Sequence, residues 1–233
     1  MRAVTGPTSG DCLLFDYGGT LDSDGVAWKE RFQALYRDEG LELPADRFDR
    51  LFYDADDALV GTLDKQADLA ETVRQLVSNI EQAATQALGA DPQRLSRVAD
   101  AFLEASHATL RRNRATLEAL RRRYQLGIVS NFYGNLAAVC HGLGLDDVFD
   151  AIADSERVGV GKPEAAIFRA AMDPLGARPE TTVMIGDSLR RDGDGARGCG
   201  LRFVWIAPVE AQDAAGGSQI AIARLDQLAE LLL

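Results

Sequence analysis

Asp16 follows the apolar run Cys12-Leu13-Leu14-Phe15 and precedes Tyr17-Gly18-Gly19-Thr20, so a carboxylate closes a strand and a glycine pair lets the backbone turn behind it. Other short apolar runs end in comparable residues. LGIVS delivers Ser130 and then Asn131, VGVGKPE carries Lys162 and Pro163, and TVMIG delivers Gly186-Asp187-Ser188 with Asp192 just beyond. Their chemistry is complementary: carboxylates attack or hold a hard cation, a hydroxyl donates to an anion, and an ammonium stabilises negative charge. Ligands of open parallel sheets gather outside the carboxyl ends of the strands, so a sheet that aligns these ends converges two acids, a hydroxyl and a lysine on one edge.

Two patterns supply the elements that position them. From Val26 to about Asn113 the apolar residues recur at helical spacing. Trp28, Phe32, Leu35 and Tyr36 form one stripe up to Gly40; Phe48, Leu51, Phe52, Ala55 and Leu59 form another between Pro44 and Gly61; Leu69, Val73, Leu76, Ile80 and Ala84 run up to Gly89. Asp91-Pro92 reads as an N-cap and first helical residue for a helix through Leu95, Val98, Phe102 and Leu103. From Leu117 onward short apolar runs alternate with helical stretches, which predicts a parallel sheet with crossover helices. Strands are expected over 125–129, 149–153, 182–185, 202–206 and, weakly, 219–222, with a helix over 225–232 and a loop over 208–218. The fold class is α/β: a sheet domain split by an all-helical insert.

The totals bound the function. A chain of 233 residues, 46% hydrophobic and 26% charged, has the balance of a soluble globular protein. No run approaches the roughly 20 apolar residues that span a bilayer, and the first ten residues lack a secretory pattern, so no membrane partner and a cytoplasmic location are expected. A net charge of −11 argues against coating nucleic acid, though a local set of cations still binds a small phosphate. Cys12, Cys140 and Cys199 lack ligand spacing and read as small buried hydrophobes.

The four strand-end motifs, in this order, resemble those of the haloacid dehalogenase superfamily, over nearly the whole chain. Asp16-Tyr17-Gly18-Gly19-Thr20 matches its first motif, Asp-x-Asp-Gly-Thr; Ser130 matches its second, Lys162 its third, and Gly186, Asp187 and Asp192 its fourth. The resemblance implies a Rossmann-like three-layer α/β/α core over 1–22 and 114–233, with a helical cap of the first subfamily type over 23–113. It implies a hydrolase, most concretely an Mg²⁺-dependent phosphatase of a small phosphorylated metabolite, working as monomer or homodimer. Asp16 and Lys162 are then catalytic, through an aspartyl phosphate on Asp16. Asp16, the Gly18 carbonyl and Asp187 hold the metal; Gly19, Thr20, Ser130 and Asn131 bind phosphate; Asp192 supports Lys162 or a metal-bound water.

One position departs from the family. Gly18 stands where its phosphatases carry a second Asp that protonates the leaving group and then activates water, an effect typically worth about 10²–10⁴-fold. Gly18→Asp is expected to raise a slow rate. Asp22 and Asp24 read as solvated turn acids, with a substitute acid as the alternative. The gap keeps three further readings open: a 2-haloacid dehalogenase, a phosphonate-cleaving enzyme using Lys29 or Lys65, and a silent member that binds a metabolite or protein. Phe132 and Tyr133 are expected to line the pocket. Of the cap aromatics Trp28, Phe32, Phe48, Phe52 and Tyr53, most are expected in the bundle core, while Arg31, Arg37 and Lys65 are candidates to reach a substrate anion.

Overall fold

The computed structural model describes residues 11–88, 91–215 and 220–233. Strand β1 (Cys12–Phe15) is followed by a wide helical turn over Tyr17–Leu21 and then by four helices: α1 (Trp28–Asp38), α2 (Ala45–Asp57), α3 (Leu69–Leu88) and α4 (Pro92–Arg121). The chain continues through β2 (Gln125–Ser130), α5 (Leu136–Gly142), β3 (Ala151–Asp154), α6 (Ser155–Val158), α7 (Ala165–Met172) and β4 (Thr182–Gly186). A second wide turn over Leu189–Asp194 leads to α8 (Gly195–Gly198), β5 (Arg202–Ile206), α9 (Val209–Ala215), β6 (Ala221–Ile222) and α10 (Gln227–Leu232).

All strands are parallel, in the order β3-β2-β1-β4-β5-β6. Successive strands step outward from β1 to β3, and the chain then crosses to the other side of β1 for β4. That reversal opens a crevice between the carboxyl ends of β1 and β4, the switch point at which such sheets place ligands. Register fixes it: Phe15 lies opposite Ile185, and the Asp16 N–H donates to the Ile185 carbonyl at 2.9 Å.

Because side chains alternate across a strand, β1 feeds two cores. Leu13 and Phe15 face a layer that includes Ile128, Ile185, Ile206, Leu117 of α4 and Leu228 of α10. Cys12 and Leu14 face the opposite layer with Phe168, Met172 and Ala196 of α7 and α8. Both faces are covered, so β1 is a continuous apolar run rather than an alternating one. The result is the α/β/α parallel sheet that the alternating pattern implies.

The helices between β1 and β2 pack on one another through Phe32, Phe48, Phe52, Val73, Leu76, Ile80 and Phe102, with Phe32 and Phe102 stacked at 4.3 Å. Asp91 caps α4 by accepting from the Gln93 N–H at 3.0 Å. This helix runs unbroken through Asn113, whose side chain donates to the Leu21 carbonyl at 3.0 Å and ties the helical layer to the turn behind Asp16. No helix of the described residues is long and apolar enough to cross a membrane.

Some expected elements differ in the structure; the helix expected from Leu225 begins at Gln227, and the strand expected to Ile222 is found over Ala221–Ile222. The expected loop over 208–218 contains α9, because Pro208 starts a turn whose carbonyl accepts from Ala211 and Gln212, and the segment after it is rich in helix formers. Strand β3 begins at Ala151, two residues later than expected, and ends at Asp154, which pairs with Ser130. Gly89, Ser218 and Gln219 lie outside the described residues.

Candidate active site

Asp16 is held by its own strand end, by two hydrogen-bond donors and by a buried cation. Its Oδ1 accepts from the Tyr17 N–H at 2.7 Å and from the Ser130 hydroxyl at 2.7 Å, and the Lys162 ammonium lies 2.7 Å from the same oxygen. Oδ2 carries no hydrogen bond among the described residues and is the oxygen left for chemistry. Lys162, 1% exposed, meets Asp192 Oδ1 at 2.7 Å on its other side; both are charge contacts off the hydrogen-bond direction. Burial alone would lower the Lys162 pKa, but Asp16 and Asp192 outweigh it and hold the group above its ordinary value. The ammonium therefore stays charged.

The third carboxylate follows β4. Asp187, Asp192 and Asp16 each offer an oxygen within 4.8 Å of the others. Burial first, and then the charges of Asp16 and Asp192, push Asp187 well above the usual carboxylate range. Burial likewise raises Asp192 to about 6, against the pull of Lys162. One ammonium does not balance three carboxylates, and a divalent cation is the partner such a set fits.

Glycines make this approach possible. Gly19 sits at φ +89, and a Cβ there would stand 2.6 Å from Asp187 Oδ2; a Cβ on Gly186 would stand 2.3 Å from the Asp192 carboxyl. Asn131 grips the Lys162 backbone, accepting from its N–H at 2.6 Å and donating to its carbonyl at 3.2 Å. Gly19 gives its N–H to Asp22 at 2.8 Å, and the Thr20 hydroxyl points to Asp187 at 3.4 Å. Asp16, Ser130, Lys162, Asp187 and Asp192 thus come together with Gly18, Gly19 and Thr20 behind them. Asn131 gives one of its two N–H bonds and its oxygen to the Lys162 backbone while lining the cavity above the carboxylates, and the Gly19 N–H is taken by Asp22.

The expectation that Asp22 is a solvated turn acid is overturned. It is 0% exposed and accepts from the Gly19 N–H, from the Trp28 indole at 2.8 Å and from Arg31 at 2.7 Å. Arg31 also donates to Ser106 and to the Phe102 carbonyl and lies 3.7 Å from the Phe102 ring centre. Asp24 pairs with Arg112 and accepts from the Leu225 N–H. Asp22→Asn is expected to cost about 2 kcal/mol, the worth of a charge-assisted hydrogen bond, in a urea denaturation midpoint.

Above the carboxylates lies a cavity of about 640 Å³. Phe132 and Tyr133 line it, and so do Trp28 of α1 and Phe52 and Tyr53 of α2, whereas Phe32 and Phe48 stay in the bundle core. Arg31 and Lys65 are engaged elsewhere, Lys65 with the Tyr133 carbonyl and Glu156, and Arg37 lies exposed outside the cavity wall. Arg190, Arg191 and Asp56 are cavity residues that the sequence pattern did not single out; Asp56 accepts from the Tyr133 hydroxyl. The two arginines do adjoin the fourth motif, a signal available in the sequence; Asp56 has none.

Comparison with known proteins places this geometry. Residues 11–200 match the family of haloacid dehalogenase-like hydrolases. A haloacid dehalogenase-like hydrolase domain-containing protein 3 from Bos taurus is 37% identical over 113 residues, 48% of this chain and 43% of that protein. A phosphoserine phosphatase from Thermus thermophilus is 34% identical over 127 residues, 53% of this chain and 51% of that protein. The chain spans about half the length of these curated relatives. Among solved structures, the hydrolase YfnB from Bacillus subtilis, bound to magnesium, shares the fold with a TM-score of 0.55 at 22% identity, over 95% of this chain and 98% of that one. The chain belongs to the haloacid dehalogenase-like hydrolases.

Proposed function

We propose that this chain is an Mg²⁺-dependent phosphatase of a small phosphorylated metabolite, with Asp16 as the nucleophile. The observation that carries the reading is the cluster of Asp16, Asp187 and Asp192 around the buried Lys162, at the mouth of a cavity. Asp16 and Asp187, with the Gly18 carbonyl, would hold the ion, which when bound screens the approach of one anion to another and polarises the phosphoryl oxygens.

The residues divide the work. Asp16 Oδ2 attacks phosphorus and displaces the leaving oxygen, giving an aspartyl phosphate that water then cleaves. Ser130 and Lys162 hold Asp16 by its other oxygen, so the carboxylate is oriented before the substrate arrives. Lys162 also faces the negative charge that spreads over the phosphoryl oxygens. Asp192 positions Lys162, and Asn131 positions its backbone. Residues 23–113 act as a lid that excludes water and selects substrate.

The other readings lack support of this kind. A dehalogenase would set Asp187 against a substrate carboxylate. A Schiff base needs a lysine with a lowered pKa, yet Lys29 lies 2.7 Å from Asp49 and is held above its ordinary value, because that bond and Glu30 outweigh the burial that would lower it.

Two measurements on one variant test the reading. Phosphate release from activated esters is expected only with Mg²⁺, and Mg²⁺ at about 100 times its Kd is expected to stabilise the fold by about 2.7 kcal/mol. Asp187→Asn should lose both effects while gaining stability in chelator, because it removes a carboxylate from a crowded set. Release unaffected by chelator would sink the proposal.

A further inference from the structure

The backbone at Gly18 has φ −75 and ψ 124, a conformation open to any residue, so chain geometry does not require glycine there. Space does. A Cβ on Gly18 would stand 3.1 Å from the Trp28 Nε1 and 3.3 Å from its Cδ1, closer than side chains normally pack. The indole is the group that a side chain at position 18 meets first.

It is also fastened there. Trp28 Nε1 donates to the buried Asp22 at 2.8 Å, and its ring meets Phe102 and Phe132 edge-on at 5.1 and 5.9 Å. Swinging it away breaks this buried hydrogen bond and its edge-on ring contacts, although Arg31 still holds the same Asp22 oxygen and Gly19 the other. Asp22 and Asp24 are both engaged, so neither of the nearest acids on the loop takes the missing place.

We propose that the Gly18–Trp28 pair restricts this enzyme to phosphates whose leaving oxygen departs as a stable anion: acyl, enol and aryl phosphates and phosphoanhydrides. The proposal rests on the phosphatase reading and narrows its substrate class. In the first step a bond forms from Asp16 Oδ2 to phosphorus as the bond to the leaving oxygen breaks. The electron pair goes with that oxygen, which takes a proton from solvent only later. Alkoxides of sugars or serine leave too poorly for this. In the second step water attacks phosphorus, the bond to Asp16 breaks, and the water proton passes to solvent with neither Asp22 nor Asp24 placed to take it. The aspartyl phosphate is therefore long-lived.

The test is a donor series at saturating Mg²⁺, using acetyl phosphate, p-nitrophenyl phosphate, phenyl phosphate and glycerol phosphate, read as kcat/KM so that it reports the first step. The wild type is expected to fall steeply along the series. Gly18→Asp with Trp28→Leu, which clears the space, is expected to raise the ratio of kcat/KM for glycerol phosphate to that for acetyl phosphate by about 10²–10⁴-fold, a change in selectivity that a general loss or gain of activity would not produce. Gly18→Asp alone should gain far less. The wild-type series stands as a test even if the double variant does not fold. A level wild-type series would overturn the inference and leave the phosphatase reading standing; a failure to turn over any donor, acetyl phosphate included, would overturn both.

Discussion

Asp16→Asn is expected to lower Mg²⁺-dependent phosphate release by at least about 10⁴-fold while leaving the fold intact. The amide has the shape of the carboxylate and keeps an oxygen for the Tyr17 N–H and the Ser130 hydroxyl, so the strand end stays in place. What it loses is the electron pair that forms the covalent intermediate. Removing one of three crowded carboxylates also relieves Asp187, whose pKa is raised by burial and then by Asp16, so stability without metal should not fall. A phosphate-release assay beside a urea melt separates the two effects. An unchanged rate, or a lost rate with a lost fold, counts against Asp16 as nucleophile.

Lys162→Met is expected to destabilise the metal-free protein by about 3–5 kcal/mol, the usual consequence of stripping the partner from buried charges. The Lys162 side chain is 1% exposed and its ammonium touches both Asp16 and Asp192 at 2.7 Å; without it, carboxylates within 4.8 Å of one another lose the cation between them. Adding Asp192→Asn should recover part of the loss, because the two residues form one unit and their effects are not additive. Urea denaturation of the single and double variants reads the coupling. Additive losses would mean that Lys162 and Asp192 act independently, and the positioning role assigned to Asp192 would fall.

Much of the fold is legible because its signals are local. The run Cys12–Phe15 and the strand at 182–186 are apolar on both faces, as a buried parallel strand must be, and Asp91-Pro92 marks the start of α4 by capping chemistry alone. The strand-end residues are legible for the same reason: a parallel sheet aligns its carboxyl ends, so Asp16, Ser130 and Asp187 share an edge whatever their separation in sequence. Lys162 reaches them from the loop before α7, with Asn131 holding its backbone.

What could not be read is tertiary. Trp28 sits at helical spacing with Phe32 and Tyr36 and belongs to the core as it looks to, but its contact with Gly18 arises only where α1 folds back over the turn. Asp22 looks like a turn acid because its partners Arg31 and Ser106 come from two different helices of the insert. Asn131 carries two donors and an acceptor suited to a phosphate site, and nothing local shows that the Lys162 backbone takes up one donor and the acceptor. The alanine-rich segment after Pro208 hides a helix behind a composition shared with loops.

The central claim, that Asp16 becomes covalently phosphorylated, is met most directly by acid-quenching the protein with acetyl phosphate and Mg²⁺ and mapping the modified peptide by mass spectrometry. One phosphoryl group on the peptide that contains Asp16, absent in chelator and absent in Asp16→Asn, is the predicted result. Phosphate release with no modified peptide, or a label on any other residue, would contradict it.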